Sequence, residues 1–183
     1  MRIETTDDLE KARVHLLRRS PEVLAAFIVS LAHVPNPVGD QVRTFIVGDD
    51  VEETVKSVTD RLASLSGPGE YEYRHTRGRE IGEKLELIVE SIGSLVLPID
   101  PAAAFELLST VFEQDGEALE QCGDHHSEVE VALQRAADLM AEAAKSLPAA
   151  VVTERVRALV VNDDYGMRTA LRPLIPPAAN THE

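Results

Sequence analysis

The sequence predicts an all-α protein, built of antiparallel helical hairpins stacked as an irregular repeat or gathered into a compact helical bundle. Three observations lead there. Apolar residues return every three or four positions in almost every segment, while strand-like alternation is nearly absent. Short runs of Pro, Gly, Asp and Ser separate the segments, as in chains of helices joined by brief connections. Aromatics make up only 4% of the chain and Trp is absent, so the core must come from Leu, Val, Ile and Ala, side chains suited to close helix packing.

The elements follow in order. From about Thr6 to Arg18, Leu9, Ala12, Leu16 and Leu17 share one side, and Asp7 and Asp8 occupy the first turn, where the helix dipole favours negative charge. "SPEVLAAF" restarts a helix with Ser20 as N-cap and Pro21 at the first helical position, and "VPNP" ends it. A short helix is expected over Val38 to Val47, closed by Gly48. In "DDVEETVKSVTDRLASLSG", capped by Asp49 or Asp50, an unbroken stripe of Val51, Val55, Val58, Leu62 and Leu65 lies opposite a polar face. "SGPGEYEY" reads as a linker. It leads into a long helix with Ile81, Leu85, Ile88, Ile92 and Leu95 inward, stopped by Pro98. "IDPAAAFELLSTVF" repeats the cap-then-proline device with Asp100 and Pro101 and buries Ala104, Phe105, Leu108, Val111 and Phe112. Helices from Ser127 to Leu147 and from Ala149 to Val161 follow, with a short last piece around Gly166 to Leu171 before "PLIPP". About nine helices result, with no repeat of fixed period.

At 183 residues and 44% hydrophobic content, the chain has enough apolar material for one folded domain over residues 1–183, with the linker at 66–72 dividing an N-terminal helical part from a C-terminal one. A net charge of −14 disfavours gripping phosphate backbones or anionic membrane surfaces. The longest apolar stretch, Val23 to Val34, is broken by Ser30 and His33 and falls well short of the roughly 20 residues a spanning helix needs. The N-terminus, "MRIETTDDLEKA", is acidic where a secretory signal is basic and then apolar. A single Cys permits no intrachain disulfide, and the expected location is the reducing cytoplasm.

Two clusters qualify as candidate sites. "EQCGDHHSE", residues Glu120 to Glu128, gathers Cys122, Asp124, His125 and His126, with Glu128 and Glu130 beyond, the ligand types that zinc and its neighbours prefer. Against a metal site, adjacent histidines usually point apart, Gly123 breaks any helix aligning Cys122 with His126, and no second ligand cluster answers this one. The alternative is a turn between helices, with Gly123 ending one and Asp124 or Ser127 capping the next. "YRHTRGRE" concentrates Arg74, Arg77 and Arg79 with His75 beside Tyr71 and Tyr73, a grouping able to clamp an anion or contact a partner. The competing reading is a solvated first turn whose arginines pair with Glu72, Glu80 and Glu83. His15, Arg18 and Arg19 complement the end of the first helix, His33 is a helix-end histidine, and "NDDYG", Asn162 to Gly166, is too short for a calcium loop and reads as a turn.

The stretch "EYEYRHTRGREIGEKLELIVESIGSLV", then "DPAAAFELLSTVFEQDGEALEQCGDHHSEVEVALQRAADLM", and later "VVNDDYG" together resemble a bacterial, all-helical family of unknown function. The resemblance spans roughly Glu70 to Gly166. It implies an all-helical fold and supplies no catalytic residue. Some members of that family stand beside a zinc-binding module of the SWIM type, which a single Cys cannot supply here, and "CGDHH" replaces the family's mostly acidic, small-residue turn.

No Gly-rich phosphate loop, nucleophile elbow, His-Glu-x-x-His helix or paired CxxC occurs. The expectation is therefore a cytoplasmic protein-interaction or scaffold module of HEAT or TPR-like character, with no motif in positive support of an enzyme. No cofactor is expected, and a protein partner or a homodimer is. The alternatives are a metal-binding protein or metal-assisted enzyme centred on Cys122 to His126, and nucleic-acid association through Arg74, Arg77 and Arg79.

Overall fold

The computed structural model describes residues 6–34, 36–46, 50–65, 74–116, 119, 127–161 and 163–176. Among them the chain forms eight α-helices, one π-helical turn and one 3₁₀ helix, and no strand. The all-α expectation holds. The chain divides into two compact units, Met1–Arg43 and Thr44–Glu183. The linker expected at 66–72 lies outside the described residues.

The first unit contains α1 (Thr6–Leu17), α2 (Pro21–Ala32) and most of α3 (Pro37–Ile46). Ser20 caps α2 as its sequence requires: its hydroxyl accepts from the Val23 N–H at 3.4 Å, and Pro21 occupies the first turn, where a missing N–H costs nothing. α2 ends at the C-cap His33, whose backbone N–H bonds back to Ser30. Asn36 opens α3, its side-chain oxygen accepting from the Gly39 N–H at 2.9 Å, and Arg43 reaches back to the Ala32 carbonyl and to Asp40.

The second unit holds α4 (Val51–Ala63), α5 (Arg74–Ser91), the π turn (Ile92–Val96), α6 (Pro101–Glu113), α7 (Ser127–Ala144), α8 (Ala149–Val161) and the 3₁₀ helix (Met167–Leu174). Of the two aspartates expected at the start of α4, Asp50 is the cap, accepting from the Glu53 N–H at 3.0 Å. Asp100 does the same for α6, accepting from both Ala102 and Ala103 at 3.0 Å. Helices pack on their next but one: α4 against α6, α5 against α7, and α6 against α8. Neighbours also meet, α4 with α5 and α6 with α7, while the 3₁₀ helix lies on α7 and α8.

The core of this unit is aliphatic with two aromatics. Val58 and Leu62 of α4, Ile88 and Ile92 of the α5 rod, Phe105, Leu108 and Phe112 of α6, Leu133 and Met140 of α7, and Leu171 of the 3₁₀ helix are all sealed from water. Each fully buried side chain of this size contributes about 1.5–3 kcal/mol relative to exposure. The stripe read on α6 is buried throughout. The α7 interior alternates large residues with Ala132, Ala136 and Ala143, which let α5 and α6 approach closely. Nearest of all is Gly82 on α5, where an added Cβ would lie 2.4 Å from the Glu128 Cβ at the start of α7.

Along the α5 rod one inward position differs from the sequence pattern. Leu95 was expected inside, yet it is half-buried while Val96 is wholly buried. The π turn explains the shift: Leu97 N–H bonds to the Ile92 carbonyl, so this turn holds more residues than an α turn and the inward position moves one place along. The last helical piece is also longer than expected, running to Leu174 as a 3₁₀ helix entered through Gly166 at φ +76°, a left-handed conformation that favours glycine.

Candidate functional site

Within the second unit the most unusual chemistry is a buried ion pair. Asp115 follows the C-terminus of α6 and Arg168 sits in the 3₁₀ helix, both almost completely shielded from solvent. The pairing is bidentate, Arg168 Nε donating to Asp115 Oδ2 at 2.9 Å and Nη2 to Oδ1 at 2.7 Å. Nη1 donates to the Leu159 carbonyl of α8 at 2.9 Å, and the Arg168 backbone N–H donates to Asp163 Oδ1 at 3.2 Å. Hydrogen bonding to Asp115 holds the Arg168 pKa above its ordinary value despite burial, with the charges of Asp163 and Asp164 adding to the effect. The guanidinium thus ties together the end of α6, α8 and the 3₁₀ helix. The "NDDYG" turn read from the sequence serves this clamp through Asp163, and Gly166 sets the entry of the helix that carries Arg168.

Nearby, Arg155 of α8 lies between two carboxylates of α6, donating to Glu113 Oε1 at 2.8 Å and standing 3.3 Å from Glu106 Oε2, an approach too poorly aligned for a hydrogen bond at Nε. A third polar group lies across α3, α4 and α5. Arg61 donates to Ser91 Oγ at 3.1 Å and Thr44 Oγ1 at 3.3 Å, and Thr44 and Ser57 share a hydrogen bond of 2.9 Å. The last set satisfies the buried hydroxyls of Thr44 and Ser91, where an unpaired one would be costly. What these contacts accomplish is positioning.

The residues singled out from the sequence are placed as follows. Cys122, Asp124, His125 and His126 lie outside the described residues. Arg74 and Arg77 belong to the first turn of α5, with side chains outside the described set. Arg79 is exposed and donates to Glu83 Oε1 at 2.8 Å, one turn along the same helix. That bond, the Glu83 charge and, more weakly, Glu128 raise its pKa. Among the described residues no group of three or more His, Cys, Asp or Glu side chains is arranged to hold a metal ion. No described helix is long and apolar enough to cross a membrane.

Two surface features remain. An open groove is lined by Ala149, Ala150, Thr153, Glu154, Arg157 and Pro176, mostly apolar with one charge of each sign. The other is larger. Of fifteen exposed large apolar side chains among the described residues, eight fall between Val14 and Val38, including Leu17, Val23 and Phe27. α2 is the most apolar of the described helices and has no buried residue.

Sequence reading missed Asp115 and Arg168 because nothing local marks an arginine for a carboxylate 53 positions away. The nearest signal was the placement of Arg168 two residues beyond a Gly in an acidic turn. Comparison with curated proteins found no match, and comparison with solved structures found none. A family model described as a family of unknown function (DUF6880) matches residues 11–182, nearly the whole chain. On that match, and on an all-helical fold of the kind the "EYEYRHTRGRE" to "VVNDDYG" resemblance implied, the chain belongs to the family of unknown function DUF6880.

Proposed function

We propose that this protein is a recognition module that binds a protein partner through an exposed helix face, acting as a scaffold element in the cytoplasm. The observation that carries this reading is α2, an apolar helix without one buried residue, whereas α6 and α7 bury their apolar faces. Large contiguous apolar surface on a folded protein marks an interaction site more often than a surface left open to water. The alternation of packing in the second unit, with α4 on α6, α5 on α7 and α6 on α8, supports a stack of hairpins that displays its helices side by side. The single Cys suits a reducing compartment.

The test is comparative affinity capture from the source cell, with the intact chain and with Phe27→Glu as bait. A set of proteins retained reproducibly by the first and lost from the second supports the reading. Identical sets from both baits, or none from either, overturn it.

A further inference from the structure

Charge is divided unevenly along this chain. Six of its 18 Lys and Arg and six of its 32 Asp and Glu fall in residues 1–43, so the first unit is formally neutral and the second carries the whole −14. Two copies therefore repel through their second units, whereas their first units meet without that penalty. A strongly cationic partner would be drawn to the second unit and a polyanion driven off by it. The surface best suited to the apolar α2 face is another neutral apolar face.

The order of side chains on α2 meets that requirement by itself. Val23, Phe27 and Ser30 follow one another at spacings of four and three, with Val34 four further on, just beyond the C-cap. This is the a/d spacing of a helix-pairing seam. In an antiparallel pair centred between residues 28 and 29, Phe27 of one copy stands opposite Ser30 of the other, and Val23 opposite Val34. The largest seam residue meets the smallest, so the stripe is complementary to itself about a twofold axis, as an isologous interface must be. Val23 and Phe27 are 55% and 56% exposed, and Ser30 is exposed with its hydroxyl turned back onto the Phe27 carbonyl at 2.7 Å, a neutral face toward the seam.

We propose that α2 is a homodimerisation helix, pairing antiparallel with α2 of a second copy about a twofold axis between Ile28 and Val29. This rests on the recognition reading above and names the chain itself as the partner. A helix of 12 residues is about 18 Å long, so the contact belongs to the small, reversible class of interface rather than the obligate one.

Sedimentation velocity on the purified full chain, from about 1 µM to about 500 µM, tests the proposal across the range a small interface occupies. The wild type is expected to pass from monomer to dimer within it. Phe27→Glu weakens the dimer by about tenfold or more, as loss of a central aromatic anchor does. Phe27→Glu with Ser30→Lys restores much of it, since each new carboxylate faces a new ammonium across the axis. Val29→Glu, on the far side of α2, leaves the dimer intact, and circular dichroism checks that every variant keeps the helicity of the wild type. If Phe27→Glu loses helicity, the Val29→Glu and wild-type measurements still decide: a dimer broken by Val29→Glu overturns the register. A wild type that stays monomeric throughout overturns the proposal, and α2 amides protected from exchange in that monomer would assign the face to the chain's own second unit. These outcomes are separable from the capture experiment: a monomeric wild type leaves a Phe27-dependent captured set standing, and a dimer with no captured protein sinks only the wider recognition role.

Discussion

A salt bridge as enclosed as Arg168 and Asp115 does not by itself make a protein more stable, because stripping water from both charges offsets much of their attraction. Removing one partner is a different matter. Asp115→Ala leaves the Arg168 guanidinium buried with the Leu159 carbonyl and no carboxylate, and is expected to cost about 3–5 kcal/mol in urea denaturation. Arg168→Met strands the carboxylate and costs a similar amount. The double variant Asp115→Leu/Arg168→Met is expected to lie well above either single one, and a double variant no better than the singles would show that the pair contributes chiefly through attraction. Glu22 offers a milder, pH-dependent case. Backbone N–H donation at the start of α2, helped by the Ser20 hydroxyl, lowers its pKa below the ordinary glutamate value. Its folded pKa is the depressed one, so its contribution is present above the unfolded pKa and disappears as pH falls through the folded value. A carbon-detected titration of this carboxyl should find its midpoint below that of the denatured chain. Neither effect was visible in the sequence, where "PEV" and "YGMRT" carry no trace of which backbone or side-chain group will face them.

Helices, by contrast, were largely legible before any coordinates, because the forces that make them are local. Caps at Ser20, Asp50 and Asp100 and the stripe on α6 follow from residues within four positions of one another, and all appear where the spacing puts them. Asp100→Ala is expected to cost about 1 kcal/mol, since two N–H groups of α6 lose their acceptor. What the pattern could not reveal was the approach distance between helices. Gly82 looks like a weak point in α5, yet it is where α7 comes nearest: a methyl there would meet the Glu128 Cβ at 2.4 Å and its backbone carbon at 3.0 Å. Intrinsic propensity alone predicts that Gly82→Ala stabilises an exposed helix by up to about 1 kcal/mol. Here it should destabilise by about 1–3 kcal/mol, because α5 and α7 must separate. Thermal unfolding decides the sign, and an increase in Tm would mean that Glu128 moves aside freely. The π turn at the end of α5 is likewise a tertiary choice. The 3.6-residue period leaves position 95 or 96 equally available, and packing selects Val96.

At the scale of the whole chain, one unit is acidic with a buried aliphatic core and the other is formally neutral with many of its apolar side chains exposed, and the two should differ in how readily their helices open. Amides of the buried α6 and α7 should exchange with solvent only through near-global unfolding, while those of α2 should exchange far sooner in dilute protein. Of the candidate residues read from the sequence, Arg79 pairs with Glu83 one turn away, as their spacing announces, whereas nothing in the spacing of α2 marks its apolar side as exposed. Periodicity reports that a helix has an apolar side and is silent about what lies against it. Salt supplies the discriminating measurement. If α2 pairs with its own copy, the attraction is apolar and insensitive to ions, but each approaching chain brings a charge of −14, and that repulsion acts over a Debye length of about 30 Å at 0.01 M salt against about 8 Å at 0.15 M. Raising the salt between those limits should therefore tighten the dimer measured by sedimentation. An interface built on opposite charges, such as basic residues of the first unit against the acidic second unit of a neighbour, would loosen over the same range, so the sign of the salt dependence identifies which surfaces meet.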